Sequence, residues 1–204
     1  MKKKLLLMIL STAVLIVGLL ADCSISNGST SGGGTTTTST SYAIGEAGPA
    51  GGLIFYVNPN YTTDGWHYLE VAPANTEWTG IKWAESTGSI KTDKGIGFGQ
   101  QNTTAIVDFL GTSETGRAAQ LCANLVINAY SDWFLPSEDE LSLMYSNLGA
   151  NGIGGFDTDA YYWSSSQSSS DTSKANLQNL DANNHNEGEI NKNLNAYVRA
   201  IRKF

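Results

Sequence analysis

The sequence predicts an α+β domain. Short runs of β-forming residues bounded by turn residues stand near both ends of the chain, at Leu53–Val57 and Ala196–Arg202. Helical spacing is confined to the stretch between them. A capping box, Ser137 followed three residues later by Glu140, marks one helix start in that stretch.

Met1 to Leu20 carries Lys2, Lys3 and Lys4 and then an apolar run from Leu5 to Leu20, the pattern of an export signal. A run of sixteen residues falls short of the roughly 20 needed to span a bilayer. Leu20-Ala21-Asp22-Cys23 resembles a bacterial lipobox, with Asp22 where a small residue normally precedes the cysteine. The resemblance implies cleavage after residue 22 and lipidation of Cys23; a freely secreted or an uncleaved, anchored form is the alternative. Residues 23–41 are almost entirely Gly, Ser and Thr and cannot bury apolar surface, so they are expected to form a tether of roughly 20–25 Å average reach. Residues 42–204 are then left for one domain, a size that supports a single core.

Within that domain, Gly48-Pro49-Ala50-Gly51-Gly52 is a turn signal ahead of the buried strand Leu53–Val57. Trp66–Ala72 is a second expected strand, and residues 73–102 a long ordered loop holding Trp78 and Trp83. Asn102 or Thr103 is placed to cap a helix over Ala105–Leu110 that Gly111 ends. A second helix is expected from about Glu114 to Asn128, with Ala118, Leu121, Cys122, Leu125 and Ala129 on its core face. Pro136 keeps Trp133-Phe134-Leu135 extended. After it, Ser137 caps a third helix whose apolar stripe is Leu141, Met144, Tyr145 and Leu148, with Gly149 as its stop. Beyond Asn151 the texture becomes polar. Tyr161–Ser166 and Ala175–Leu180 are strand candidates, Asp181–Asn193 a solvated hairpin, and Ala196–Arg202 a closing strand.

The chain carries 12 basic and 19 acidic residues, a formal charge of −7. Without residues 1–22 the remainder holds nine basic and eighteen acidic residues, a charge of −9. Such a surface does not suit nucleic acid or anionic head groups. Cys122 is the only thiol besides Cys23, which excludes a disulfide framework, and it reads as a buried small hydrophobe.

Four landmarks occur in order: Gly48–Val57, Ser131-Asp132-Trp133-Phe134-Leu135-Pro136-Ser137 with Glu140-Leu141, Tyr162-Trp163-Ser164-Ser165-Ser166, and Val198–Arg202. Together they resemble the Lcl C-terminal domain family, a domain of unknown function named for a collagen-like bacterial adhesin. That family is similar to the C-type-lectin-like and sulfatase-modifying-factor folds. The resemblance covers residues 42–204 and implies a C-type-lectin-like single domain. About three helices would flank a small, mainly antiparallel sheet with long loops, and the terminal strands would be adjacent.

Candidate binding residues are the loop acids and amides Asp157, Asp159, Asp171, Asp181, Asn183, Glu187 and Glu189. Carboxylates in such density can chelate Ca²⁺, which takes six to eight hard oxygens. No calcium motif supports it, because His185 and a displaced Gly188 break the loop pattern of Asp181–Gly188. Turn chemistry is the favoured reading. His67 and His185 have no metal-ligand spacing, and the serines of 164–170 lack a nucleophile elbow. Sulfatase-modifying relatives use paired redox cysteines, which Cys122 alone cannot provide. Arg199 and Arg202 are expected to pair with carboxylates. No catalytic residue, metal site or cofactor is assigned. The expected function is an envelope-anchored, non-enzymatic binding or adhesion module with a glycan or protein ligand. A structural envelope lipoprotein with a protein partner is the alternative, and an enzyme the third reading.

Overall fold

A computed structural model describes residues 40–183 and 185–204. The expected signal segment, Cys23 and the tether through Ser39 lie outside the described residues, as does Asn184. Among the described residues no helix is long and apolar enough to cross a membrane.

The chain is α+β. Strands β1 (Leu53–Val57), β2 (Tyr68–Val71) and β3 (Trp78–Lys82) precede helices α2 (Gly99–Leu110), α3 (Ala118–Ala123) and α4 (Glu138–Asn147), with a one-turn α1 (Tyr61–Asp64) between β1 and β2. Then follow β4 (Tyr161–Gln167), β5 (Lys174–Asn179), β6 (Glu187–Asn191), β7 (Asn195–Val198) and β8 (Ile201–Lys203). Instead of one small sheet there are two. An antiparallel sheet runs β1-β2-β8, and a five-stranded one runs β3-β7-β4-β5-β6, antiparallel except where β4 meets β7.

The closing segment expected as one strand is two. It leaves the larger sheet at Val198 and enters the smaller at Ile201, pairing with β2 through Val71↔Ile201. Between them Arg199 is buried with its guanidinium on Glu77, and the Ala200 carbonyl accepts from the Ala72 amide. Side chains alternate across β4, so the two sides of that strand feed two cores. Trp163 packs with Trp83, Ile106, Ala118, Cys122, Leu177 and Val198. Tyr162 packs with Phe134, Leu141, Met144, Leu148 and Ile201.

Three more expectations are corrected. The 73–102 segment is not all loop, because Trp78–Lys82 pairs antiparallel with β7 at the edge of the larger sheet. Its Gly80 and mixed polarity hide the strand signal. Helix α2 begins at Gly99, six residues before the expected start, and Asn102 and Thr103 lie buried inside it rather than capping it. Their side chains reach across the fold: Asn102 Oδ1 accepts from the Asp93 amide at 2.8 Å, and Thr103 Oγ1 from the Leu135 amide at 3.0 Å. A Cβ at Gly99 would overlap the Glu140 carboxylate and the Leu135 carbonyl, so this entry point admits only glycine. Helix α3 spans six residues, not fifteen. Glu114 stays outside it to bind the 85–86 loop, and Asn128 and Ala129 take positive φ.

Helix α4 follows its sequence signal. Ser137 Oγ accepts from the Glu140 amide, and Glu140 Oε2 accepts from the Ser137 amide at 2.8 Å. Leu141, Met144 and Leu148 are fully buried. The α-helix ends at Asn147, two residues before the expected stop at Gly149. A 3₁₀ turn carries the chain over Gly149–Asn151 to Gly152, which takes φ 67°. Gly149 is instead a contact glycine, since a Cβ there would crowd the Leu180 carbonyl.

Candidate functional site

The buried acids form a structural system. Glu70 is wholly buried; it accepts from the Ala50 and Gly52 amides at 3.1 and 2.8 Å and from Arg202 at 3.1 Å. The turn Gly48–Gly52 is therefore a cradle for one carboxylate, and Cβ atoms at Gly48 or Gly52 would strike Glu70 or the Val71 carbonyl. Arg202 also grips Asp132 through two 2.9 Å bonds and lies over the Tyr130 ring. Arg199 pairs with Glu77 at 2.9 Å, and Glu77 also accepts from the Tyr162 hydroxyl at 2.8 Å. Both arginines thus bind carboxylates, as their sequence context suggests. Burial pushes the Glu140 carboxyl up, against the Ser137, Gly97 and Gly99 amides that favour the anion.

The seven candidate binding residues are divided between the two ends of β5. Asp171 sits at the β4–β5 turn, where it accepts from the Ser173 amide and hydroxyl, and Lys174 links it to Glu189. At the opposite end, Asn179 donates to the Thr158 carbonyl at 2.9 Å and so ties the 157–159 turn to the β5–β6 hairpin. Asp157 accepts from the Asp159 amide and Asp181 from the Asn183 amide, each two residues on, which makes these acids turn residues. Asn183 takes part through its backbone. Glu187 reaches the opposite face of the sheet and accepts from Ser142 of α4. Among the described residues no group of three His, Cys, Asp or Glu side chains is placed to hold a metal.

What this end of the sheet does build is an open trough of about 480 Å³. It crosses the strands from β6 to β7 at the level where Trp163, Leu177 and Gly188 are in register. Leu177, Ile190 and Ala196 form its apolar floor; Tyr161, 40 % exposed, and Asp159 stand at its margin. Gly188 keeps the β6 side low, because a Cβ there would meet open space. Glu187 and Glu189 line the trough but alternate with Gly188 and Ile190 along β6, so their carboxylates turn towards α4 and Lys174. Tyr197, also at the margin, donates its hydroxyl to Asp157 at 3.0 Å. Of the seven candidates, Asp159 is the acid whose carboxylate has no partner among the described residues. The sequence reading missed Tyr161 and the floor, although an aromatic opening an otherwise serine-rich strand was the available signal.

The thiol, the two histidines and the serines of 164–166 lie away from the trough. Cys122 is fully buried, and burial pushes its thiol pKa far up. His67 stacks between Tyr61 and Tyr68, and His185 stacks on Tyr145 at 3.7 Å. Trp83, Trp133 and Trp163 are core residues. Ser164, Ser165 and Ser166 are buried in strand hydrogen bonding, with Ser164 Oγ donating to the Asn176 carbonyl. Comparison with protein-family models and with curated proteins found no match for this chain.

Proposed function

We propose that this domain is a non-enzymatic recognition module, held at the bacterial cell envelope through lipidated Cys23, that takes a glycan or protein ligand in the trough beside Tyr161. The trough carries the reading. An exposed aromatic ring next to an apolar floor is costly to leave in water and offers a stacking surface, while the Asp159 carboxylate and the Asn195 amide supply polar contacts at the margin. The four ordered sequence landmarks, with their resemblance to the Lcl C-terminal domain family and its C-type-lectin-like relatives, support an adhesion role. The signal and tether pattern supports display outside the cytoplasm. A buried thiol with a raised pKa argues against redox chemistry on a sulfatase-modifying scaffold.

The test is a glycan array and a host-matrix binding panel with the purified full chain, with and without Ca²⁺. Tyr161→Ala is expected to lower binding at least about tenfold, the scale of one lost aromatic contact, with an unchanged melting temperature. Binding that survives both Tyr161→Ala and Asp159→Asn unaltered would overturn the assignment of the trough. The anchor is tested separately: Cys23→Ala should release the protein from the membrane fraction, and unchanged partitioning would remove the lipobox.

A further inference from the structure

The two sheets have four edges, and three of them are covered or broken. In the smaller sheet the Glu46 carbonyl accepts from the Ile54 amide of β1, and Phe134 exchanges backbone bonds with Ile201 of β8. In the larger sheet the β3 edge is interrupted between Trp78 and Ile81, where Gly80 takes φ 68°. Strand β6 is the regular edge that remains. Residues Glu187 to Asn191 pair with β5 without a break in register, and Glu187, Gly188 and Glu189 are exposed.

The ladder fixes which backbone groups of β6 are free. The Asn179 amide donates to the Asn186 carbonyl, and the Lys192 amide to the Ser173 carbonyl, each at 2.9 Å. Alternation from these two bonds turns the N–H and C=O of Gly188 and Ile190 towards β5 and those of Glu187 and Glu189 outward. Among the described residues nothing bonds to these four outward groups. A strand added here would therefore hydrogen-bond to residues 187 and 189. Its residue opposite Gly188 would fall in a non-hydrogen-bonded pair, where facing side chains come closest. Gly188 stands on the trough face in register with Leu177, and a Cβ there meets open space. The added side chain can thus cross the glycine and reach the floor of Leu177 and Ile190.

Charge selects the occupant. Glu187 and Glu189 share the other face of β6 and are held only by a 3.3 Å bond from the Ser142 hydroxyl and a 3.6 Å contact with half-exposed Lys174. A second copy pairing antiparallel about Gly188 would set carboxylate directly against carboxylate, which guards this edge against self-association. The trough lining likewise holds Asp159, Glu187 and Glu189 and no basic side chain. The same two glutamates suit a strand with a cation at each facing position.

We propose that β6 accepts an extended, basic segment of a partner protein as a sixth strand, with lysine or arginine opposite Glu187 and Glu189 and a large apolar side chain over Gly188. This rests on the trough as the recognition site and makes its ligand a polypeptide.

The test is titration of the purified full chain with the labelled, end-blocked peptide Ser-Thr-Lys-Leu-Lys-Thr-Ser, followed by fluorescence polarisation and by amide exchange in NMR spectra. Saturable binding is expected, with slowed exchange at the Glu187 and Glu189 amides. Gly188→Val should weaken it at least about tenfold at an unchanged melting temperature, because the new side chain closes the notch. Glu187→Lys combined with Glu189→Lys should reject this peptide and accept the version with glutamate in place of both lysines. No saturable binding, or binding that both variants leave unaltered, would overturn the proposal. So would dimerisation of the chain that Gly188→Val abolishes, since the edge would then belong to a second copy. Absence of peptide binding beside a glycan-array signal that Tyr161→Ala removes would sink strand addition alone and leave the trough assignment standing.

Discussion

Two populations of carboxylate occupy this domain, and they behave in opposite ways. Glu70, Glu77 and Glu114 stand singly in apolar or mixed sequence, yet each is the hub of a network; Glu140, the last of an acidic run of three, joins them as the buried partner of a helix cap. Asp157, Asp159, Asp171 and Asp181 are crowded into the polar third of the chain, yet three of them close turns on their own backbones, with only the Tyr197 hydroxyl added at Asp157 and the Ser173 hydroxyl and Lys174 at Asp171. The contrast teaches that the density of acids along a sequence marks solvated turns, whereas a lone acid beside β-formers marks a buried pair. Desolvation explains the difference. An acid enters the core only with amides or an arginine to compensate it, so it is found alone, opposite its partner.

The sharpest way to break this comparison is at Glu70. Glu70→Ala leaves Arg202 without its buried partner and orphans the Ala50 and Gly52 amides, and should cost about 3–5 kcal/mol in a denaturant melt. Adding Arg202→Met should recover only part of the loss, because the two amides remain unsatisfied and Asp132 loses its bidentate partner. A loss below about 1 kcal/mol for Glu70→Ala would show that the cradle is dispensable.

Glu114 gives a pH version of the same contrast. Burial pushes its carboxyl up, but the Glu85 and Ser86 amides, the Ser86 hydroxyl and Arg117 outweigh burial and hold it at about 2, below the ordinary 4.5. The anion is favoured in the folded state, so its contribution is complete above pH 4.5 and is lost as pH falls towards 2. The expected size is about 2 kcal/mol, read as the difference between wild type and Glu114→Gln in melts from pH 6 to pH 2. Parallel curves across that range would contradict it. Ser137→Ala comes next, at about 1 kcal/mol, from loss of the cap and of the bond from its hydroxyl to the Gly95 carbonyl.

These magnitudes follow how legible each region was. Strand β1 and helix α4 could be read because their signals are local: a turn, an apolar run, a capping box. Strand β3 could not, since Trp78-Thr79-Gly80-Ile81-Lys82 gains its order from pairing with β7, more than a hundred residues away. The same holds at the start of α2, where Gly99 is selected by its contact with Glu140 and Leu135. The split between β7 and β8 is hidden because the carboxylate that Arg199 pairs with, Glu77, stands more than a hundred residues away and nothing local to Ala196–Arg202 marks the change of sheet. The trough was half legible. Asp159 drew attention as an acid, but its companions Tyr161, Leu177, Ile190 and Ala196 are joined only by the register of four strands.

The smallest expected effects test the other half of the comparison. Asp181→Ala and Asp171→Ala each remove an exposed or half-exposed carboxylate whose bonds are local turn contacts, together with one long contact to Lys174 at 3.9 Å in the case of Asp171. Solvent screens such groups, and each change should leave the midpoint of a thermal or urea melt where it is in wild type. Asp159→Asn should be equally silent in stability, since its carboxylate bonds to nothing among the described residues, but it should weaken capture of any ligand seated beside Tyr161. A residue can matter at the trough only if the fold has not already spent its side chain. The pairing of a flat melt with a lost binding signal is therefore the signature that separates Asp159 from its neighbours. If Asp159→Asn and Asp181→Ala leave both readouts unchanged, the acids of the polar third are turn residues throughout, and recognition at the trough rests on Tyr161 and the apolar floor.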